Sequence, residues 1–201
     1  MKTDVISVSS KGKQIEAALT QVEKVAAYNE MDRKSALHLR LLTEEMMGMM
    51  RSITGETEGQ FWIEDEDGVY QLHLKIQNRL SSEKREKLIS VSSSGKNESA
   101  KGLMGRLRDF FDVCADDDSA TYPGPLILPD MYEYSTASSL EWEWSMAQYQ
   151  EELSGRIKQN DADAIEAWDE LEKSVVSHVA DDIKVYVHGR TAEMVILKKL
   201  A

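Results

Sequence analysis

Hydrophobic and polar positions along the chain alternate with two periods, and the switches between them mark the elements. Val5, Ile6 and Val8 in Asp4–Ser9 form a short first strand, broken by Gly12. From Lys13 to Asn29 the set Ile15, Ala18, Leu19, Val22, Val25 and Ala26 recurs at helical spacing. Asp32 can cap a second helix, whose stretch Leu37–Ile53 carries Leu37, Leu41, Met46, Met49 and Ile53 on one face. Gly55 and Gly59 are expected to end it. Phe61, Trp62 and Ile63 then open a strand that runs into an Asp-Gly turn, the signature of a hairpin. The return strand alternates strictly, with Tyr70, Leu72, Leu74 and Ile76 on one face and Gln71, His73, Lys75 and Gln77 on the other.

Ser82–Ile89 is short, charged and expected to be helical; the Ser/Gly/Asn-rich run after it has loop composition. Lys101–Gly105 opens another helix, running to Phe111. The character then changes. An acidic run and all three prolines make 112–131 an extended connector. Two helices are expected next. One is LEWEWSMAQYQEELSGRI, capped by Ser138 or Ser139; the other, capped by Asn160 or Asp161, holds Ile165, Trp168, Leu171, Val175 and Val176. Gly155 and the following polar residues separate them into an antiparallel pair. On a helix, Trp142 and Trp144 cannot share a face, so one of them either marks a partner surface or packs against the connector. Ile183, Val185 and Val187 alternate into a closing hairpin that turns at His188–Arg190 and returns through MVILKKL.

Composition narrows the function classes. With 201 residues and 41% hydrophobic positions, the chain can bury a core of ordinary domain size. The net charge of −12 argues against nucleic acid and against an anionic membrane surface. A single cysteine, Cys114, excludes an intrachain disulfide and a cysteine-rich zinc site. No apolar run approaches the roughly 20 residues needed to span a bilayer, and the first residues are too polar for a signal peptide. A cytoplasmic location is expected. The four histidines show no ligand spacing, and three adjacent acidic side chains at 116–118 cannot converge on one ion.

The stretch LLTEEMMGMM, the strand ending at Asn78 and the GLMG segment carry a resemblance. Together they resemble the histidine-kinase/gyrase-type (GHKL) ATPase superfamily, and its anti-sigma-factor serine-kinase branch in particular. That resemblance implies an α+β fold, a two-layer sandwich with helices on one face of a mixed, mostly antiparallel sheet. It spans 1–111 plus 181–201 and leaves 112–180 as an acidic, Pro-containing connector and helical-pair insertion. In the family a Glu orients the attacking group, and an Asn four residues on holds the magnesium bridging the phosphates of ATP. Glu44 stands at the Glu position and Gly48 at the Asn position, so the metal ligand is missing. The adenine-contacting box is likewise reduced to Asn78, Leu80 and Ser82. Gly102 and Gly105 of GLMG resemble the last glycine box, whose amides meet phosphates at a helix start, and Lys101 is a basic residue placed for phosphate beside it.

The expectation from this set is a regulatory protein on a degenerate ATPase fold, acting by binding a partner protein and having lost catalysis. ATP and magnesium are cofactors only if the site is retained. One alternative is an active serine kinase or ATPase using Glu44, Asn78 and the Lys101–Gly105 loop. Another is an acidic interaction module working through the helical pair of 138–178.

Overall fold

In a computed structural model, residues 1–9, 15–54, 58–77, 103, 105, 107, 141–188 and 191–200 are described. They order as β1 (Ile6–Ser9), α1 (Ile15–Tyr28), α2 (Arg33–Thr54), β2 (Glu58–Glu66) and β3 (Val69–Gln77), followed by β4 (Glu141–Ser145), α3 (Met146–Ile157), α4 (Ala162–Glu172), α5 (Val175–Val179), β5 (Asp182–His188) and β6 (Thr191–Lys199). Leu103, Gly105 and Leu107 are also helical and buried.

The six strands form one sheet in the order β1-β2-β3-β6-β5-β4, and every pairing among them is antiparallel. The fold is α+β. The sheet, expected to be mixed and mostly antiparallel, is wholly antiparallel in its described part.

Register explains why all the helices lie to one side. Across the sheet, Ile6 pairs with Phe61, Phe61 with Leu74, Leu74 with Met194, Met194 with Val185 and Val185 with Trp144. Side chains alternate across a strand, so these rows share one face. They join one core with Val22 and Val25 of α1, Leu42 and Met46 of α2, Tyr149 and Leu153 of α3, Leu171 of α4 and Val176 of α5. Leu103 and Leu107 enter the same core.

The hairpin turn forms as its sequence dictates. Asp67 and Gly68 both take positive φ, 53° and 80°, as a turn matched to the strand twist requires. At Gly59, which lies inside β2 and does not end α2, a Cβ would sit 3.0 Å from the Lys75 carbonyl oxygen. Gly55 lies outside the described residues.

Three expectations are corrected. Glu141–Ser145 is a strand paired with β5 and is not the start of a helix. Its Trp/Glu alternation has period two, and aromatic residues suit a pleated strand. The helix begins one residue later, where Ser145 accepts a hydrogen bond from the Gln148 amide at 3.4 Å. Gly155 lies within α3, so the break between the two helices falls at 158–161, where Asp161 caps α4. The described part of 112–180 therefore adds an edge strand and three helices to the sandwich core. Ser138, Ser139 and the Pro-containing connector lie outside the described residues, as does the charged segment 82–89.

Candidate functional site

α2 begins where Asp32 accepts a hydrogen bond from the Ser35 amide at 2.7 Å; the Ser35 hydroxyl first, and then that amide, hold the Asp32 carboxyl below its ordinary range. The helix buries Leu39, Leu42, Met46, Met47, Met49 and Met50. The apolar stripe is thus rotated from the expected one, and Leu37 is half exposed. Leu39 and Leu42 sit at i and i+3 with Met46 at i+7, and this row outcompetes Leu37 for the sheet.

The opposite face carries the residues singled out by the resemblance. Glu44 is exposed and pairs with Arg40 at 3.2 Å, one turn earlier. Arg40 also reaches Glu23 on α1, so the three side chains form a ladder between the helices. Gly48 follows Glu44 by one turn and is exposed; a Cβ built there meets nothing within 4 Å. The helix therefore brings Glu44 and Gly48 together on one surface. Gly105 is helical and buried. Asn78, Lys101 and Gly102 lie outside the described residues.

A second constellation was not foreseen. It occupies the sheet face that points away from the helices. There Trp62 pairs in register with His73, and their rings stack with centroids 4.7 Å apart and planes within 9°. His73 Nδ1 lies 2.8 Å from Glu193 Oε1 on the neighbouring strand. The Trp62 indole N–H donates to Glu64 at 2.8 Å, and the Lys2 ammonium reaches the same carboxylate oxygen at 2.8 Å. Lys2 also lies over the indole, 5.3 Å from the ring centroid. Those two donors hold the Glu64 carboxyl below its ordinary value, Lys2 contributing most.

The row continues toward the β4 edge. Lys184 pairs with Glu143 at 3.5 Å, and burial with the nearby Glu143 charge pushes the Tyr186 hydroxyl up. The arrangement is uneven in its satisfaction. His73 is 8% exposed, yet its Nε2 has no hydrogen-bond partner and stands 4.0 Å from Glu64. Chemically the cluster combines a carboxylate with an aromatic face, the pairing that holds an ammonium or guanidinium group. Sequence contained one signal for it: Trp62 sits on the polar side of β2, between the core residues Phe61 and Ile63.

Among the described residues no group of three His, Cys, Asp or Glu side chains stands ready to hold a metal ion, and no helix is long and apolar enough to cross a membrane. Neither a family model, nor a curated protein, nor a solved structure matches the chain.

Proposed function

We propose that the chain is a regulatory protein that acts by binding a protein partner, on an ATPase-like arrangement that no longer turns over nucleotide. The observation that carries this reading is Gly48. At the position where the resembled family projects a magnesium-holding amide, the α2 surface has bare backbone facing open space. Glu44, the residue that would orient an attacking group, is drawn into the ladder with Arg40 and Glu23 instead. Among the described residues, a triphosphate brought against this surface would meet the Glu44 carboxylate, already paired with Arg40, and no side chain at the position of the family's metal-holding amide.

Calorimetric titration of the full chain with Mg-ATP tests the reading. No magnesium-dependent heat is expected in the micromolar range. Saturable binding there, abolished by chelating the magnesium, would overturn it in favour of an active ATP-dependent enzyme.

A further inference from the structure

Three features were candidates for a partner surface: the β1 edge, the exposed Tyr28–Leu37 region at the α1–α2 turn, and the second face of the sheet. Only the last carries chemistry that selects a partner. There the chain already displays the contact it would make. Lys2 places its ammonium on Glu64 at 2.8 Å and over the Trp62 ring, while its side chain stays 58% exposed. A cation held this way at the surface is bound weakly and exchanges readily.

We propose that the Trp62–Glu64 clamp on the second face of the sheet receives a lysine- or arginine-bearing segment of a partner protein, which displaces Lys2. The inference rests on the partner-binding reading and names the partner's chemistry. Three observations converge on it. The net charge of −12 favours association with a basic partner over an acidic one. The clamp is built on the rigid centre of the sheet, with Trp62 fixed by its stack on His73 and His73 fixed by Glu193. The His73 imidazole, more than nine-tenths buried, leaves Nε2 without a partner beside Glu64. The cluster thus keeps one unsatisfied polar atom next to the Glu64 carboxylate that holds the cation. Lys75 and Lys199, exposed on the same face, would repel a cationic segment approaching beyond the clamp and so restrict where it docks.

The test uses the isotopically labelled full chain and a blocked peptide of alternating lysine and serine as probe. The Trp62 indole N–H signal, identified by its loss in Trp62→Phe, reports on the clamp. The expected result is a saturable shift of that signal. Glu64→Gln should weaken the binding about tenfold, as expected for loss of a charge-assisted contact. Lys2→Ala, which empties the clamp of its own cation, should tighten it roughly threefold. Shifts confined to the acidic surface of α4 with the indole unmoved, or Lys2→Ala leaving the affinity unchanged or weaker, would overturn the proposal. The outcome is independent of the nucleotide titration. Magnesium-dependent ATP binding would remove the regulatory reading and leave the peptide result standing, and a silent indole would remove the clamp alone.

Discussion

Phe61 and Trp62 are adjacent in β2, both are buried, and they belong to two different kinds of surface. Phe61 faces the helices and joins a core made of aliphatic, methionine and aromatic side chains. Trp62 faces away, against the His73 ring, the Glu64 carboxylate and the Lys2 ammonium. The first face is held by area removed from water, which is non-directional and tolerant of which neighbour supplies it. The second is held by hydrogen bonds and a ring stack, which depend on direction and on the charge of each partner. One strand thus uses its pleat to carry apolar packing on one side and a directional polar cluster on the other.

The sharpest way to break the comparison is to truncate both neighbours. Phe61→Ala removes a fully buried ring from the helix side and should lower stability by about 3–5 kcal/mol in urea unfolding. Trp62→Phe keeps an aromatic ring against His73 but loses the indole donor to Glu64 and part of the packed ring, for about 1–2 kcal/mol. Equal losses at the two positions would mean that the second face is packed like the first.

Acid separates the two faces by charge. Glu64 has its carboxyl lowered by Lys2 and Trp62, so it takes up its proton later in the folded chain than in the unfolded one. Its contribution to stability is therefore present above the ordinary carboxylate value and is lost as pH falls through the lowered one. Wild type should be more stable than Glu64→Gln at neutral pH, and the gap should close on acidification below the carboxylate range. Asp32 and Asp161 are lowered as well, by Ser35 and by Arg156 respectively, and both are retained in the variant, so the difference isolates Glu64. A gap that stays constant with pH would show that the ionised Glu64 carboxylate gains nothing from Lys2 and Trp62 in the folded chain.

The helix-side face was the legible one. Strict alternation from Tyr70 to Ile76 fixed the orientation of β3, and Asp67-Gly68 fixed the hairpin, because period and turn chemistry are local properties. The Trp/Glu strand β4 escaped because its five residues abut a helical pattern, and only pairing with β5 decides between the two periods. The α2 stripe was misplaced for a related reason. With apolar residues at 37, 39, 41 and 42, several faces were available, and tertiary contact selected the one through Leu39 and Leu42. The Trp62–His73–Glu193 cluster draws on β2, β3 and β6, with 120 residues separating His73 from Glu193. No spacing rule reaches across that distance. Glu44 and Gly48, by contrast, lie one turn apart on one helix, and their shared surface was readable from spacing alone.

That shared surface gives the mildest test. Gly48 lies within the 22-residue helix α2, faces open space, and pays the backbone entropy of glycine without using its conformational freedom. Gly48→Ala should therefore raise stability by about 0.5–1 kcal/mol, seen as a higher urea midpoint with an unchanged slope. The same position in the proposed function is one where a side chain has been lost without structural need. A gain on adding a methyl would mean that packing does not demand glycine there, leaving the missing amide as a change in chemistry alone. A loss of stability instead would show that a neighbour approaches Gly48 closely, and the bare backbone would then be a requirement of the fold, with no bearing on magnesium.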